Sequence, residues 1–441
     1  MNKEYLHNLR ESTDLSPLFE QIRSDDVDYV LLGEASHGTS DFYKWRTEIT
    51  KHLVSSGDFS FIAIEGDWPD SYNVNRYVKG LPESGKSAYD VLSAFNRWPT
   101  WMWANKEVVI LVEWLRQHNL TLPEEKRVGF YGLDVYSLWE SMEAILNYLQ
   151  KVDPGAVRLA IEAYGCFEPY GKSVEDYARA TAFIPESCKD EVIKLLVTLR
   201  SKAYRYSQNG LQKSEEYFNA EQNALVLKNA ELYYRKMMYG GTETWNIRDS
   251  HMMETLKRLM NFYGKKNSKS IVWAHNTHIG DARHTDMTEA KMFNLGQLVR
   301  EDATEKKTML VGFGTNSGTV IASREWGEPM QIMSIPNAIE GSWDKLLHDL
   351  NDGNDTVLVF KGSNRINSKK YESISEGSRR GQRAIGVVYH PEYEAYGNYV
   401  SSNLEKRYDV FLYIDKTQAL HPLHMPETKD PDLPETYPSG L

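Results

Sequence analysis

Short apolar runs alternate with amphipathic stretches in the first third of the chain. Residues 29–32, 61–64 and 128–133 are apolar at most positions, as in strands that lie buried in a parallel sheet. Between the first two runs, apolar side chains recur every three or four positions from Phe42 onward, which is typical of an amphipathic helix. This alternation of strands and helices predicts an α/β fold with mostly parallel strands.

The strand pattern disappears in the middle of the chain and then returns. Residues 137–264 resemble several helices, the longest over about 211–238, and Gly240 follows it, as glycine commonly does past a helix end. Apolar runs reappear at residues 270–274, 308–311, 357–360, 384–389 and 410–414. We therefore expect an α/β core formed by residues 1–136 and 265–441, with a large helical insertion over 137–264.

Composition and charge exclude several classes of protein. The chain carries 51 basic and 62 acidic side chains, a formal net charge of −11, which argues against nucleic acid as the main partner. No stretch approaches the ~20 apolar residues of a membrane span, and the first residues lack an apolar signal segment. The two cysteines, Cys166 and Cys188, are too few for a disulfide framework and favour a reducing compartment. We expect a soluble cytoplasmic protein with no membrane partner.

Acidic residues and histidines follow three of the predicted strands. Glu34 and His37 come after the first strand, Glu65 after the second, and His275 and His278 after the strand that follows the helical insertion. Ligands bind beyond the carboxyl ends of strands in α/β sheets, and histidine suits general-base catalysis near neutral pH. The pattern indicates an acid–base active site. Each residue also has a structural alternative, since His37 could bond within its own turn and Glu65 could cap a helix or face solvent.

Two arginines are candidates for more than surface charge. Arg46 lies beside the apolar stripe of the first amphipathic helix. A guanidinium there needs a carboxylate, such as Glu34 or Glu65, or a substrate oxygen; the alternative is a surface side chain of which only the stem is covered. Arg248 and Asp249 open a helix after a pair of glycines, and an exposed ion pair is the simplest interpretation of their spacing.

Clustered aromatic residues and a histidine pair could extend the site. Trp68 and Trp101, with the tryptophans at 98 and 103, could line an apolar pocket, although clustered tryptophan more often forms a core. His275 and His278 are spaced H-x-x-H on a loop, which suits a metal or two roles in acid–base chemistry. The helical H-E-x-x-H motif of zinc peptidases is missing, so we do not expect zinc.

Other catalytic and cofactor motifs are missing or incomplete. No G-x-S-x-G sequence is present, which argues against a serine α/β-hydrolase. Residues 312–318 approach a dinucleotide-binding loop, but Ser317 stands where the third glycine should be, so we expect a hairpin there. We therefore expect no cofactor and no metal. The proline-rich residues 421–441 are expected to be irregular.

Together and in order, the motifs resemble those of the erythromycin esterase family. They are Gly-Glu-x-x-His-Gly at 33–38, Arg46, Ile-Glu-Gly-Asp-Trp at 64–68, Asn-x-Arg-Asp at 246–249 and His-Asn-x-His at 275–278. The resemblance spans nearly the whole chain. It implies a Rossmann-like α/β core with a helical domain over the cleft, and hydrolysis of a cyclic ester by direct attack of water.

The resemblance also implies a role for each matching residue. His37 would deprotonate the water, and Glu34 and Glu65 would position the water or the base. Arg46 would orient a carboxylate or steady the oxyanion, and Arg248 would reach into the cleft from the helical domain. The two histidines of the His-Asn-x-His motif would flank the substrate carbonyl or the leaving oxygen. The candidate catalytic residues are Glu34, His37, Arg46, Glu65, His275 and His278, and the candidate substrate-binding residues are Trp68, Trp101, Arg248 and Asp249.

The substrate and the chemistry leave alternatives open. The expected ligand is a small-molecule ester or lactone, and macrolide antibiotics are one candidate whose hydrolysis would confer resistance. One alternative is a metal-dependent hydrolase with four protein ligands, namely Glu34, His37, Glu65 and His275. Another is a non-catalytic protein that binds a small molecule in the same cleft. The sequence does not indicate an oligomeric state.

Overall fold

The computed structural model describes most of the chain. The described residues are 6–9, 15–170, 173–183, 187–202, 211–264, 268–303, 307–360 and 379–423. Most of the proline-rich segment that is predicted to be irregular, residues 424–441, lies outside these ranges. Within them, no helix combines the length and the apolar character needed to cross a membrane.

A nine-stranded sheet forms the centre of the molecule, and a two-stranded sheet lies apart from it. The strands, numbered in chain order, are β1 (Leu6–Asn8), β2 (Tyr29–Leu32), β3 (Phe61–Ile64), β4 (Gly129–Gly132), β5 (Ser270–Trp273), β6 (Thr308–Ala322), β7 (Gln331–Ile335), β8 (Thr356–Val359), β9 (Arg380–Arg383), β10 (Tyr399–Ser402) and β11 (Val410–Thr417). Strands β9 and β10 form the small sheet, and the others form the large one.

Six neighbouring strands of the large sheet are parallel, in the order β11, β6, β2, β5, β3 and β4. Antiparallel β8 and β1 complete one edge, and β7 pairs antiparallel with residues 318–322 of β6. The central strands are buried along their whole length, because helices cover both faces of a parallel sheet. The predicted α/β fold with a mostly parallel sheet is confirmed.

Helices connect the strands and enclose the core. In chain order they are α1 (Ser16–Ser24), α2 (Ser40–Ser55), α3 (Trp68–Val78), α4 (Ala88–Leu92), α5 (Lys106–Leu120), α6 (Leu138–Val152), α7 (Val157–Phe167), α8 (Val174–Phe183), α9 (Lys189–Ser201), α10 (Leu211–Met237), α11 (Glu243–Phe262), α12 (Asn276–Ile279), α13 (Leu295–Ala303), α14 (Trp343–Leu350), α15 (Glu394–Gly397) and α16 (Leu404–Arg407). Alternate residues of a strand face opposite sides of the sheet. In β2, Val30 and Leu32 pack in the cluster that contains α2 and α5, whereas Leu31 packs with α11 and α13.

Between β4 and β5 the described residues form helices and turns. Helices α6 to α10 share an apolar cluster of their own, which includes Ile145, Leu196 and Leu225. Helix α11 also packs against the sheet, through Met252 and Leu256. The helices lie where the sequence predicts them, while the division into a core and an insertion domain at residues 137 and 264 stays a prediction.

Two predicted elements are wrong. Residues 384–389 do not form a strand; they make isolated bridges, in which Ile385 N donates to Ala35 O after β2 at 2.8 Å and Tyr389 N donates to Ser323 O after β6 at 2.9 Å. Residues 312–318 do not form a hairpin, because β6 continues through them and the chain turns only after Ala322. A Cβ atom at Gly312 or Gly314 would approach the Phe411 ring within 2.8 Å or less, so these glycines make room for a neighbouring strand.

The two cysteines also differ from the expectation. Cys166 near the end of α7 and Cys188 before α9 form a disulfide with an S–S distance of 2.09 Å. The bond joins two helices of the region between β4 and β5. The prediction treated these cysteines only as too few for a framework, and residues 22 apart on separate helices give no local sign of pairing. The cysteine count therefore gives no argument for a reducing compartment.

Residues 80–87 have the G-x-x-x-x-G-K-S spacing of a phosphate-binding loop. In such a loop a buried strand precedes the glycines and a helix follows them. Here the segment follows helix α3 and leads into α4, which is five residues long, with Ser87 accepting a hydrogen bond from Asp90 N as its N-cap. The spacing is therefore matched without the structural context that would make it a nucleotide site.

Candidate active site

Three parallel strands deliver the candidate residues to one edge of the sheet. Leu32 of β2 pairs with Trp273 of β5, which pairs with Ile64 of β3. The three strands therefore end side by side at the same edge of the sheet. The backbone N–H of His275 donates to Glu65 Oε2 at 2.7 Å, which ties two of the following loops together. The strand ends therefore meet, as the sequence predicts.

Glu34 joins His37 to Arg46. Its Oε1 lies 2.9 Å from His37 Nδ1, and its Oε2 accepts a hydrogen bond from Arg46 Nη2 at 2.6 Å. The guanidinium is fully buried over the rings of Tyr43 and Trp273, at 4.2 and 4.5 Å from their centres, so the surface alternative for Arg46 is wrong. Because a carboxylate only accepts hydrogen bonds, His37 Nδ1 is the donor in this contact, and in the neutral ring Nε2 is then the acceptor.

The turn that carries His37 is held by close backbone packing. Gly38 O accepts hydrogen bonds from Ile321 N and Leu420 N, both at 2.9 Å. A Cβ atom at position 38 would collide with the backbone of Ile321, so only glycine allows this approach. His37 N donates to Ile385 O at 3.4 Å, and the turn is thus fixed from several elements.

Glu65 lies in a larger charge network. Arg248 Nη2 donates to Glu65 Oε1 at 2.8 Å, and the same guanidinium holds Asp134 through Nε and Nη2 at 2.9 and 2.7 Å. Burial alone would raise the pKa of the Glu65 carboxyl, but His278, Arg248 and His37 outweigh it and hold that pKa well below its usual range. Glu65 is therefore a buried carboxylate, able only to accept hydrogen bonds.

His278 is a further neighbour of Glu65. Its Nδ1 lies 3.0 Å from both carboxylate oxygens of Asp249, and its Nε2 lies 3.4 Å from Glu65 Oε1. Trp245 stacks on the ring at 4.5 Å. Burial alone would lower the pKa of His278, but Asp249 and Glu65 outweigh it and raise the pKa to about 9. Asp249 fixes the ring from one side, and Arg248 Nη1 lies 3.1 Å from Nε2 on the other.

A cavity of about 60 Å³ opens beside these groups. Its charged and polar lining includes His37, Glu65, Asp134 and Arg248. The gap between His37 Nε2 and Glu65 Oε1 is 4.0 Å. Aromatic side chains form much of the remaining wall, namely Phe95, Trp98, Trp103, Tyr136 and Trp326. The arrangement places an imidazole, carboxylates and guanidinium groups around a small space.

The sequence matches a known protein family over most of its length. The family model described as erythromycin esterase matches residues 54–417. The chain belongs to the erythromycin esterase family. It is a hydrolase of that family, as the motifs at the strand ends predict.

Solved structures share the fold at low sequence identity. A protein described as a succinoglycan biosynthesis protein has a TM-score of 0.73 and 20% identity, with 95% of this chain and 96% of that chain covered. A Bacillus cereus protein has a TM-score of 0.75 and 18% identity, with 96% and 97% covered. A mutant of the erythromycin esterase EreC in its open conformation has a TM-score of 0.62 and 15% identity, with 92% and 94% covered. At these identities the similarity shows the fold alone.

Several residues predicted for the site lie behind it. Four of them do not line the cavity, namely Arg46, Asp249, His275 and His278. Arg46 holds Glu34, and Asp249 holds His278. The His275 ring is fully buried, with its centre 4.7 Å from that of His37. Burial and the neighbouring His37 hold its pKa well below 6.5, so His275 is neutral.

The tryptophan prediction needs correction. Trp68 and Trp101 are fully buried and do not line the cavity. Trp68 begins α3 and stacks on Tyr131, while its indole donates to Asn219 Oδ1 at 2.8 Å. The tryptophans that line the cavity are instead Trp98 and Trp103 of the same cluster and Trp326 of a distant loop. Both predicted residues are therefore core residues, the alternative that clustered tryptophan usually favours.

The sequence interpretation missed the acids beside the known motifs. Asp134 follows β4 as Glu34 follows β2, and this strand-end position was the available signal. Asp67 and Asp70 at the start of α3 also line the cavity, with Arg97 opposite them. Their role could not be read from spacing, because aspartate near a helix N-terminus commonly serves as a cap.

A metal site was the main chemical alternative. Among the residues that the structure describes, no group of three or more His, Cys, Asp or Glu side chains is arranged to hold a metal ion. Glu34 and Glu65 instead accept hydrogen bonds from the guanidinium groups of Arg46 and Arg248. The proposed set with His37 and His275 therefore has no support from the geometry, and activity in the presence of a chelator is its direct test.

Proposed function

We propose that this member of the erythromycin esterase family opens a lactone or another carboxylic ester by direct attack of water. His37 acts as the general base, and no covalent nucleophile takes part. The observation that carries the proposal is the chain from Arg46 through Glu34 to His37, with distances of 2.6 and 2.9 Å. It leaves His37 Nε2 as an acceptor in the cavity wall, facing Glu65 across 4.0 Å.

The first step uses a water held between two acceptors. One O–H of the water donates to His37 Nε2 and the other to Glu65 Oε1. The water oxygen attacks the carbonyl carbon as its proton passes to Nε2, which gives a tetrahedral anion and an imidazolium. General-base assistance of this kind is worth roughly 10²–10⁴-fold. Glu34 stabilises the imidazolium through Nδ1.

The second step breaks the ester bond. The tetrahedral anion collapses, the bond from carbon to the alkoxy oxygen breaks, and His37 returns its proton to that oxygen. The products are a carboxylic acid and an alcohol, which stay in one molecule when the substrate is a lactone. Arg248 is the guanidinium beside Glu65 in the cavity wall and stabilises the negative charge on the carbonyl oxygen. Arg46, behind Glu34, positions the base instead.

A 14-membered macrolide is the first substrate to test, because a similar structure is that of an erythromycin esterase. Hydrolysis would open the ring and inactivate the antibiotic, which is the route to resistance. The small volume beside His37, about 60 Å³, admits the ester group, while the rest of such a ring would extend away from the strand ends. Other lactones and esters are the next substrates to test.

Mass spectrometry of the macrolide after incubation with purified protein tests the proposal. Wild type is expected to add one water to the substrate, and His37→Gln is expected to lose this activity. His390→Gln is the matched control, because His390 is outside the cavity and its side chain is 43% exposed. Turnover by His37→Gln at the wild-type rate would overturn the mechanism. Loss of wild-type turnover in a chelator would favour the metal-dependent alternative.

A further inference from the structure

Asp70 lies in the wall of two neighbouring cavities. The first is the cavity of about 60 Å³ beside His37, with room for on the order of four water molecules. The second has a volume of about 530 Å³ and lies among α3, α6 and α10. The ester group of a substrate fits the first cavity, whereas a larger remainder needs the second. Asp70 stands where the two meet.

Asp67 carries a buried oxygen atom without a partner. It occupies the N-cap position of α3, yet its side chain makes no capping hydrogen bond. Arg97 Nε donates to Oδ2 at 2.7 Å, while Oδ1 has no hydrogen-bond partner among the described residues. Asp67 is only 6% exposed and lines the first cavity. A buried carboxylate oxygen without a donor is costly, which indicates that a ligand supplies a positive charge or a donor there.

A second unpaired acceptor lies in the wall of the larger cavity. Asn219 Oδ1 accepts from the Trp68 indole at 2.8 Å, so the Asn223 atom 3.0 Å away from it is the Nδ2 donor. The other atom, Asn223 Oδ1, is buried and has no partner within the described ranges. Both unpaired atoms are acceptors. The two cavities therefore favour a ligand that brings a positive charge or hydrogen-bond donors.

The charge around Asp70 favours a cation over a neutral donor. Burial, Asp67 and Glu140 together raise the pKa of Asp70 to about 7, against the opposing effect of Arg97. In the first cavity, Arg97 and Arg248 already pair with carboxylates. Carboxylates outnumber these guanidinium groups, with Glu65, Asp67, Asp70 and Asp134 in the same wall. A positively charged group next to Asp70 would relieve the repulsion between carboxylates.

We propose that Asp67 and Asp70 form a subsite for a protonated or quaternary amine that the substrate carries, while its ester lies beside His37. The position of the ester rests on the proposed hydrolysis; the amine subsite rests on the unpaired acceptors and on the excess of carboxylates. Phe95 and Trp98 line the same cavity, and aromatic faces attract ammonium groups. The subsite makes Asp70 a specificity-determining residue for cationic esters.

Binding of two alcohols of the same shape tests the subsite without turnover. Choline and 3,3-dimethylbutanol differ only in the charged nitrogen that replaces a carbon. Titration calorimetry with the full chain is expected to show that choline binds about tenfold more tightly, as for an ammonium group in a partly buried aromatic and acidic site. Equal affinity for the two alcohols would overturn the proposal.

Asp70→Asn removes the charge at the centre of the subsite. The preference for choline over its neutral isostere is expected to fall about tenfold in this variant. Asp90→Asn is the matched control, because Asp90 is exposed on α4 and lines neither cavity; its preference is expected to equal that of wild type. A preference that survives intact in Asp70→Asn would place the cation elsewhere and contradict the proposal.

Hydrolysis of the acetate esters of both alcohols separates this inference from the proposed function. We expect a kcat/KM about tenfold higher for the choline ester, with the ratio reduced in Asp70→Asn. If choline binds preferentially but neither ester is hydrolysed, the proposed hydrolysis is contradicted and the amine subsite is supported. If both esters are hydrolysed equally and choline binds no better than its isostere, the amine subsite is contradicted and the proposed hydrolysis is supported.

Discussion

Glu34 and Glu65 end strands on either side of β5, and each contacts an arginine and a histidine. The partners of Glu34 lie 3 and 12 residues along the chain, within one strand–turn–helix unit. Those of Glu65 lie far away, since Arg248 is 183 residues distant and the His275 backbone 210. One carboxylate is organised locally, and the other is organised only when a helix from between β4 and β5 packs against the sheet.

The two carboxylates also differ in what their partners do. Glu34 bridges Arg46 and His37, so in the proposed mechanism it orients the base. Glu65 shares Arg248 with Asp134 and also faces His278, so it is a fixed charge within a network. In the proposed mechanism, the local unit therefore supplies the reactive group, while the long-range network supplies the electrostatic environment of that group.

Arg248→Met is expected to have the largest effect, because it removes the cation that two buried carboxylates share. Glu65 is 2% exposed and Asp134 3%, so neither can be solvated without rearrangement. Breaking a buried ion pair from one side costs roughly 3–5 kcal/mol. Denaturant unfolding should show this loss, and turnover should disappear with it.

A double variant shows whether the network behaves as a unit. Glu65→Gln combined with Arg248→Met still leaves Asp134 buried without its guanidinium, so we expect little recovery of the free energy of unfolding. Recovery to the wild-type value would mean that Glu65 and Arg248 form a simple pair like Glu34 and Arg46. Glu34 and Glu65 would then not differ in how their arginine partners stabilise them.

The pH dependence of stability gives the next largest effect. The folded state raises the pKa of His278 from an ordinary value of 6.5 to about 9, so the native state binds the proton more tightly than the unfolded state does. The resulting stability is fully present below about pH 6.5 and is lost as the pH rises through 9. The shift corresponds to ~3 kcal/mol at most.

Chemical denaturation at several pH values between about 6 and 9.5 measures how much the protonation of His278 contributes to the free energy of unfolding. Wild type should lose stability over that interval, and His278→Gln should lose less because it has no proton to release. The difference between the two slopes isolates the histidine from other titrating groups. Parallel curves for the two proteins would show that His278 does not hold its proton in the Glu65 network.

The local half of the site could be predicted from the sequence. Glu34, His37 and Arg46 fall within one strand, one turn and one amphipathic helix, so periodicity places Arg46 beside the buried face and next to the turn. Asp134 could not be predicted in the same way, because a lone aspartate after a strand is common. Its partner Arg248 is 114 residues away, and nothing local indicates the pairing.

The fold shows the same limit. The parallel strands and the helical region were predicted from runs and periods, which are local signals. The glycine-rich part of β6 was not, because Gly312 and Gly314 are needed by the neighbouring Phe411, a contact that only the assembled sheet creates. Residues 384–389 have a strand-like sequence, yet they bond only at isolated positions, with Ile385 at the loop that carries His37 and Val387 and Tyr389 at Ser323.

The smallest expected change in stability comes from replacing both members of the local pair. In Glu34→Gln with Arg46→Met, the apolar side chain takes the place of a guanidinium that already lies over Tyr43 and Trp273. Replacing both partners of a buried pair is often neutral, so we expect the free energy of unfolding to stay within about 1.5 kcal/mol of wild type. The kcat should nevertheless fall roughly 10²-fold, because His37 loses the carboxylate that fixes its tautomer. Arg46→Met alone is the control: it leaves Glu34 buried without its cation and should be the less stable protein. A double variant with wild-type kcat would show that Glu34 does not orient the base. The proposed difference between the roles of Glu34 and Glu65 would then be contradicted.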